Sequence, residues 1–304
     1  MVAYIHPMDL PRQLGPYRLL RRLGHGGMAE VFLAVAHGAS GFEKRVALKT
    51  LLPELQGDGE YERTLIEEAR RASSFQHRNL VAVHDLGLAG GVYFVRMDWV
   101  DGADLAALLA RGRPSVPEAL LIAEELAHAL AYLHGLADDA GRALGLVHRD
   151  VSPANVLLSR AGDVKLGDFG IAKATLLADI TRGAARKGKY AYMSPEQVTG
   201  AALTARSDQF SLGITLYEML TGARPFDAGS PLETMERVRE AIPPDLSALD
   251  VDLAAIVTRC LARDPARRFD DALRLARALA TARRTRAPAG PEELSRWVSD
   301  ALAG

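Results

Sequence analysis

The hydrophobic pattern of this chain changes its period near Gly102. Up to that residue, short apolar runs alternate as β-strands do, interrupted by one helical stretch from about Glu60 to Phe75. Beyond it, apolar residues recur at helical spacing, as they do between Pro117 and His134. Runs of strands followed by runs of helices predict an α+β fold, in which a small antiparallel sheet with one main helix precedes a larger, mostly helical part.

A glycine-rich stretch, from Gly24 to Val31, lies between two predicted strands at 17–23 and 31–35. Glycines allow a hairpin to bring its backbone N–H groups close to phosphate oxygens, because no Cβ stands in the way. The order of strand, glycines and strand argues against a dinucleotide-binding fold, whose glycines lead into a helix. A plain glycine hairpin without a ligand remains the alternative at this point.

The next predicted strand, Val46–Lys49, places one lysine in an otherwise apolar run. A strand lysine is usually just exposed, unless an acidic side chain is positioned to pair with it. The helical stretch that follows offers two such acids, Glu67 and Glu68. A lysine paired with one of them could hold the α- and β-phosphates of a nucleotide.

The polar stretch from His148 to Asn155 puts a carboxylate, a carboxamide and a cation within one short turn. Thirteen residues after Asn155 comes the triplet Asp168-Phe169-Gly170. In phosphoryl transfer, a protein mainly positions groups and neutralises charge. Asp150 would accept the hydrogen bond of the attacking hydroxyl, and Asn155 and Asp168 would hold magnesium. Either motif alone is weak evidence.

Composition narrows the class of protein. The 37 Lys and Arg residues nearly balance the 38 Asp and Glu residues, so no long-range field recruits nucleic acid or an anionic membrane. The one cysteine, Cys260, cannot form an internal disulfide, which favours a reducing compartment. No apolar run approaches the roughly 20 residues that a membrane helix needs. We therefore expect a cytoplasmic protein with no membrane span and no nucleic-acid partner.

These motifs follow one another in the order and at the spacing of a single family. The chain resembles the eukaryotic-type (Hanks-type) protein kinases, and most of all the bacterial serine/threonine kinases, over about residues 17–280. The matching residues are Gly24-x-Gly26-Gly27-Met28, Val46-Ala47-Leu48-Lys49, Glu68, His148-Arg149-Asp150 with Asn155, Asp168-Phe169-Gly170, Ser194-Pro195-Glu196, Asp208 and Arg268.

The resemblance implies a two-lobed kinase-like fold. Its N-lobe would cover 17–97, its hinge 98–102 and its C-lobe 103–282. A flexible arm, 1–16, would precede this domain, and a linker with a short C-terminal helix, 283–304, would follow it. The implied activity is transfer of the γ-phosphate of ATP, with Mg²⁺, to serine or threonine hydroxyls of protein substrates, including this protein itself in trans. The oligomeric state stays open.

The resemblance also assigns roles to single residues. Glu68 would pair with Lys49, Met97 would be the gatekeeper, and the backbones of Asp98 and Val100 would bind adenine. The implied ATP-binding residues are Leu23, Gly24, Gly26, Gly27, Val31, Ala47, Lys49, Met97, Asp98, Val100 and Leu157. The implied structural residues are Asp208, which anchors the stretch His148–Asn155, here called the catalytic turn, and Glu196 and Arg268, which form a buried ion pair.

Three departures from the family pattern bear on activity. Ala29 replaces the third glycine of the loop, which still leaves room for phosphate. Ser152 stands where the family has a lysine beside the transferring phosphate, and Lys189 stands where it has a threonine. We hypothesise that Lys189 restores the lost cation while Ser152 takes over the hydroxyl role, so that both act in catalysis. The alternative is a decayed site, and hence a pseudokinase that binds nucleotide or a partner.

Regulation and substrate class are also suggested by the resemblance. Arg149 and Lys173 would form a basic pocket for a phosphate on the activation loop. The predicted phosphorylation sites are Thr181 and, as second choice, Thr175. A small-molecule phosphotransferase of the same fold is disfavoured, because the segment around Glu196 resembles the protein-substrate platform of protein kinases. Tyrosine specificity is disfavoured by the residues of the catalytic turn.

Overall fold

The computed structural model describes residues 10–168, 189–242 and 244–303. The described residues form two compact units. The first contains 10–76 and 81–99, and the second contains 77–80, 100–168, 189–242 and 244–303. After the short excursion of 77–80, the chain leaves the first unit between Trp99 and Val100.

A six-stranded sheet dominates the first unit. Its strands are β1 (Arg12–Leu14), β2 (Tyr17–His25), β3 (Ala29–His37), β4 (Glu43–Leu51), β5 (Val83–Ala89) and β6 (Val92–Met97). They pair antiparallel in the order β1-β2-β3-β4-β6-β5. Helix α1 (Gly59–Ala72) begins at the N-cap Asp58, whose side chain accepts a hydrogen bond from the backbone N–H of Glu60. The predicted small antiparallel sheet with one main helix is confirmed.

One face of this sheet forms an apolar core. Leu19 on β2, Phe32 on β3 and Leu48 on β4 are fully buried, and Tyr17 packs edge-on against Phe94 with ring centroids 5.4 Å apart. Each such side chain contributes on the order of 1.5–3 kcal/mol on burial. Because successive side chains of a strand point to opposite faces, this core leaves the other face of β3 and β4 for different residues.

The first strand differs from the prediction. Residues 1–16 were expected to form a flexible arm, but Arg12–Leu14 pairs with β2, and Leu14 is buried against the sheet. The connection is a two-residue turn, Gly15-Pro16, in which Gly15 adopts a φ of +56°. The Gly-Pro pair was a readable turn signal. The hydrophobic pattern does not indicate this strand, because three residues are too few to show alternation.

The second unit is mostly helical, as predicted. Its helices are α2 (Leu105–Leu109), α3 (Val116–His134), α4 (Pro195–Thr199), α5 (Ala205–Thr221), α6 (Pro231–Glu240), α7 (Val251–Cys260), α8 (Ala272–Arg284) and α9 (Pro291–Ala303). A small antiparallel sheet of β7 (Gly102–Asp104), β8 (Val156–Ser159) and β9 (Val164–Leu166) has β8 at its centre.

Two long helices form the centre of the second unit, and their ends follow the local sequence. Helix α3 begins with the predicted capping box of Ser115 and Glu118. Helix α5 begins at the N-cap Thr204 and ends at Gly222, which adopts a φ of +79°. The apolar residues of α3 line a buried face, and α3 packs against both α5 and α8.

The single cysteine, Cys260, is buried in the second unit. Burial raises the pKa of the Cys260 thiol to about 12, so this residue stays protonated and serves as packing at the end of α7.

None of the helices in the described part of the chain is long and apolar enough to cross a membrane.

Candidate active site

Predicted ATP-binding residues share one face of the first unit's sheet. In the strand register, Val31 lies opposite Lys49, and Ala47 lies opposite Met97. Lys49 and Ala47 are two residues apart on β4, so their side chains point the same way, away from the core that contains Leu48. At the end of the β2–β3 hairpin, Gly24 lies opposite Val31. The sheet therefore presents glycine backbone, small apolar side chains and one lysine on a single face.

Lys49 has an acidic partner. Its Nζ donates to Oε1 of Glu68 on α1 at 2.7 Å, and their side chains are only 11% and 18% exposed. Glu67, the other candidate, is 61% exposed and faces Arg71 instead. A charge-assisted hydrogen bond with this little exposure fixes the lysine ammonium at one position on the sheet. Such a fixed cation can neutralise phosphate oxygens.

Replacing Lys49 with methionine is expected to weaken ATP binding and phosphoryl transfer together, by about 10- to 100-fold in kcat/KM, because a hydrogen bond to a charged group contributes about 1.5–3 kcal/mol. Lys44→Met is the matched control, since Lys44 lies on the same strand but is exposed. Steady-state kinetics against ATP concentration would measure the effect. Equal losses of kcat/KM in the two variants would show that Lys49 does not bind ATP.

Asp98, which directly follows β6, is the residue of the first unit whose backbone is predicted to bind adenine. The backbone N–H of Asp98 donates to the carbonyl of Ala82 at 2.9 Å, and its carboxylate binds Nε2 of His84 at 2.7 Å. With those two groups engaged, the backbone carbonyl of Asp98 is the group suited to accept the amino group of adenine. Val100 and Leu157 belong to the second unit, where both are partly buried.

In the second unit, Asp208 holds the catalytic turn from α5. Its carboxylate accepts the backbone N–H groups of His148 and Arg149, each at 2.8 Å, and binds Nε2 of His134 at 2.8 Å. Asp208 is 1% exposed. A buried carboxylate with three hydrogen bonds is well satisfied, so this arrangement fixes the backbone immediately before Asp150.

Two residues that sequence reasoning did not single out complete this anchor. One is His134, the last residue of α3, which binds Asp208. The other is Gln197, whose Nε2 donates to the carbonyl of Arg149 at 2.8 Å and whose Oε1 accepts the N–H of Ser194. The second contact belongs to a capping box, Ser194-x-x-Gln197, which is readable in the sequence. No local sequence pattern indicates the contact with Arg149.

The backbone adopts left-handed conformations beside the predicted catalytic and metal-binding residues. Arg149 has a φ of +68° and Asp168 a φ of +57°. Such angles are uncommon for residues other than glycine and cost on the order of 1–3 kcal/mol. The hydrogen bonds of Asp208 and Gln197 on either side of Arg149 hold its peptide groups in place. Strain of this kind concentrates at functional sites.

Asn155 is oriented by the catalytic turn itself. Its Nδ2 donates to the carbonyl of Asp150 at 2.7 Å, and its backbone carbonyl accepts the N–H of Gly167 at 2.9 Å. A hard cation binds an amide through its oxygen, and this contact of Nδ2 orients the side chain that carries Oδ1. Asp168 follows Gly167 and is exposed. The turn therefore links Asp150, Asn155 and the segment that carries Asp168.

These donors suit magnesium. Mg²⁺ prefers oxygen ligands and is typically held by one or two carboxylates together with water and phosphate oxygens. Asp168 and Asn155 supply one carboxylate and one amide oxygen, and substrate phosphates would complete the shell. Within the described residues, no group of three or more His, Cys, Asp or Glu side chains could hold a metal ion alone.

Ser152 and Lys189 are the two residues of the proposed exchange. Ser152 is buried, and its backbone carbonyl accepts the N–H of Asn155 at 2.9 Å. Lys189 begins a short 3₁₀ turn, Lys189–Tyr192, and its side chain is outside the description. Lys173, Thr175 and Thr181 lie outside the described residues altogether. The proposed exchange between Ser152 and Lys189 therefore stays a prediction.

Glu196 and Arg268 form the predicted ion pair. The two guanidinium nitrogens of Arg268 bind the two carboxylate oxygens of Glu196 at 2.6 and 3.0 Å, and Ser207 donates to Glu196 at 2.7 Å. The Arg268 side chain is fully buried and lies over the ring of Phe210. Burial acts to raise the pKa of Glu196, but the hydrogen bonds and charge of Arg268 outweigh it and hold that pKa below its ordinary value.

The segment before this pair is also fixed to α5. The hydroxyl of Tyr192 donates to Oε2 of Glu218 at 2.5 Å. Burial, followed by interaction with Glu218, raises the pKa of Tyr192, and burial raises the pKa of Glu218. Tyr192 and Glu196 are thus both held against α5, through the side chains of Glu218 and Ser207.

A family model that describes the protein kinase domain matches residues 17–278 of the chain. This chain belongs to the protein kinase family. Membership confirms the resemblance seen in the sequence, and it implies the use of ATP with a divalent metal ion. The match ends before α9, so that helix is not part of what the family model describes.

Individual relatives agree with this assignment. The kinase domain is 38% identical over 286 residues to the tyrosine-protein kinase MasK of Myxococcus xanthus, covering 90% of this chain and 44% of that protein. It is 35% identical over 263 residues to the serine/threonine-protein kinase PrkC of Bacillus subtilis, covering 85% of this chain and 39% of that protein. The chain thus spans less than half the length of these two relatives.

A solved structure confirms the predicted two-lobed kinase fold. The crystal structure of the PknI kinase domain of Mycobacterium tuberculosis matches with a TM-score of 0.64 and 32% sequence identity. The match covers 89% of this chain and 97% of that chain. The class of fold therefore agrees with the expectation from sequence.

Proposed function

We propose that this protein transfers the γ-phosphoryl group of ATP, with Mg²⁺, to serine or threonine hydroxyls of proteins. The observation that carries the proposal is the catalytic turn. Its backbone is anchored on Asp208, and Asn155 is oriented by the carbonyl of Asp150 at 2.7 Å. In the proposed mechanism, Asp150 accepts the hydrogen bond of the attacking hydroxyl, which orients that oxygen for attack.

The other residues of the proposed mechanism hold charge. Lys49, fixed by Glu68, would bind phosphate oxygens, and Asn155 and Asp168 would hold the metal ion. Bound magnesium supplies positive charge against the phosphates during transfer. Lys49 and Asn155 already have their orienting contacts before the substrates bind. This preorganisation favours an enzyme over a pseudokinase.

The two relatives are named for different phosphorylated residues. MasK is named a tyrosine-protein kinase, and PrkC a serine/threonine-protein kinase. The MasK match makes tyrosine phosphorylation the second candidate function. We favour serine and threonine because the catalytic turn, with Ser152 and Ala154 around Pro153, lacks the arginine and alanine pattern of tyrosine kinases.

The test is incubation of the purified protein with Mg²⁺ and labelled ATP, alone and with a general protein substrate, followed by mapping of each phosphorylated residue. Label on serine or threonine is the expected result. Label confined to tyrosine would transfer the assignment to the second candidate. Nucleotide binding without any label would leave a pseudokinase. An Asp150→Asn variant serves as the inactive control.

Regulation through the activation loop is part of this proposal. The Nε of Arg149 is buried and has no hydrogen-bond partner within the described residues. A buried guanidinium nitrogen without a partner suits a phosphate, which offers strong acceptor oxygens. We expect the phosphate on Thr181, or else on Thr175, to bind beside Arg149 and Lys173. The donor of that phosphate would be a second copy of the protein or another kinase, in the reducing cytoplasm that the single cysteine favours.

The exchange of Ser152 and Lys189 gives a separate prediction. Each single reversion, Ser152→Lys or Lys189→Thr, is expected to lower activity, because it leaves two cations or none beside the transferring phosphate. The double variant should retain much more activity than the two single effects combined predict. Kinase assays of all four proteins would measure the coupling. A double variant no better than the worse single one would refute the exchange.

A further inference from the structure

Helix α9 packs onto the small sheet of the second unit. It contacts β8 and α2, and its residues Leu294 and Val298 are almost fully buried. The hydroxyl of Ser295 donates to the backbone carbonyl of Arg160 at 2.6 Å, and Arg111 donates to the carbonyl of Ala301. This helix is therefore bound by both apolar burial and hydrogen bonds.

The start of α9 touches the turn between β8 and β9. Gly162, in that turn, is buried and has a φ of +86°. A Cβ placed on it would lie 1.9 Å from the carbonyl oxygen of Pro291. Only glycine permits so close an approach. The helix and the turn thus meet backbone to backbone, with no flexible side chain between them.

The linker before α9 is also tied to the helical part of the unit. Arg283 binds Glu124 on α3 at 2.8 Å and donates to the carbonyl of Ala289 at 3.1 Å. Arg286 binds Asp252 at the start of α7 through two hydrogen bonds of 2.8 Å. Because α9 is attached to this framework at its N-terminal end, it can transmit the position of the framework to the turn.

The β8–β9 hairpin connects that turn with the predicted metal ligands. Asn155 immediately precedes β8, and Asp168 follows β9 after one residue. At about 3.3 Å per residue, the four residues from Asn155 to Ser159 span about 13 Å. The turn itself is stiff, because the Ser159 hydroxyl bonds the side chain of Asp163 and accepts two backbone N–H groups.

From this arrangement we infer that α9 is a positioning element for the metal site. By fixing the turn of the hairpin, it fixes the other end, where Asn155 and Asp168 would bind magnesium. The inference rests on the proposed function for the identity of these ligands. Helix α9 itself lies beyond residues 17–278, the stretch that the family model matches.

The test measures metal binding without catalysis. Mn²⁺, which is paramagnetic, is titrated into the protein with a non-hydrolysable ATP analogue, and free Mn²⁺ is read by electron paramagnetic resonance. Gly162→Ala is expected to weaken Mn²⁺ binding about 3- to 10-fold, below the 10- to 100-fold typical of residues that touch a metal ligand directly. Gly141→Ala is the matched control, because Gly141 has a φ of +76° but nothing within 4 Å of an added Cβ.

A milder pair of variants guards against misfolding of Gly162→Ala. Ser295→Ala removes one hydrogen bond to the hairpin, whereas Ser299→Ala changes a serine on the same helix for which the described residues show no such bond. Ser295→Ala is expected to weaken Mn²⁺ binding by about 2-fold or more, because it loosens the attachment of α9 to the hairpin. Docking of α9 is followed by the fluorescence of Trp297, with Trp99→Phe as the common background.

Weaker Mn²⁺ binding in each folded test variant than in its control would support the inference. Equal binding in a folded test variant and its control would overturn it, and so would a loss of docking, seen by Trp297, without a change in Mn²⁺ binding. These outcomes are separate from the proposed function. A protein that binds Mn²⁺ and the analogue but transfers no phosphate would refute the kinase activity and leave the role of α9 intact.

Discussion

Replacing Asp150 with asparagine is expected to lower the rate of phosphoryl transfer by about 10²- to 10⁴-fold, the usual contribution of a positioned general base. Asparagine has the same shape but accepts the hydrogen bond of the attacking hydroxyl far less well. The backbone around it should not move, since the Asp150 carbonyl binds Asn155 and its N–H donates to Nδ1 of His148. ATP binding and the melting temperature should therefore be unchanged.

Initial rates at saturating ATP and Mg²⁺ measure this prediction, with nucleotide affinity measured in parallel. Asp139→Asn provides the control, because it makes the same chemical change at an exposed position in the preceding loop. A rate loss shared by both variants would point to a general effect on the protein. A loss of less than about 10-fold in Asp150→Asn alone would show that another group orients the hydroxyl.

Replacing Arg268 with methionine is expected to lower the free energy of unfolding by about 3–5 kcal/mol, because it leaves the Glu196 carboxylate buried without its counterion. The loss extends beyond the ion pair. Arg268 also donates to the backbone carbonyls of Ala262 at 2.9 Å and Arg206 at 2.8 Å. Methionine fills much of the volume but offers no donor to these groups.

Urea denaturation at neutral pH would measure this change. Arg142→Met is the control, since the pair that Arg142 forms with Asp138 is on the surface, with the arginine side chain 82% exposed. Exposed pairs contribute about 0–1 kcal/mol. If Arg268→Met were no more destabilising than the control, the buried pair would not hold this part of the unit together.

The same pair makes the stability of the protein depend on pH. The pKa of Glu196 in the folded protein lies below its ordinary value of 4.5. The ionised carboxylate therefore contributes its full stability above pH 4.5, and the contribution is lost as pH falls through the lower pKa of the folded state. A Glu196→Gln variant should be less stable than the original protein at neutral pH. The difference should shrink below pH 4.5, since only the original protein has this carboxylate to protonate.

Much of the fold could be predicted because its signals are local. The change of hydrophobic period located the sheet and the helices, and the capping box at Ser115 and the glycine at 222 marked helix ends. The strand Arg12–Leu14 was missed because its three residues show no periodicity, although the Gly15-Pro16 turn beside it was readable.

The candidate site could be predicted residue by residue, but not its supporting contacts. Lys49 and Glu68 were identified by motif, and the structure brings them to 2.7 Å. The contact from Gln197 to the carbonyl of Arg149 joins residues 48 apart in the chain. Hydrogen bonds to backbone carbonyls place no demand on the sequence near the acceptor, so neither partner reveals the other. The close approach of Gly162 to Pro291 is hidden for a different reason, because a glycine there also suits an ordinary turn between two strands.

The anchoring of the catalytic turn on Asp208 also imposes an order on protein synthesis. His148 leaves the ribosome 60 residues before the carboxylate that accepts its N–H. Until α5 has been made and has folded, the turn lacks its acceptor. The hydrogen bond from the N–H of Arg149 to Asp208, which stabilises the left-handed conformation of Arg149, cannot form before then. A nascent chain therefore carries every predicted catalytic residue through Asp168 before it can arrange them. An unfinished chain that ends before α5 therefore lacks the contact that holds the backbone beside Asp150.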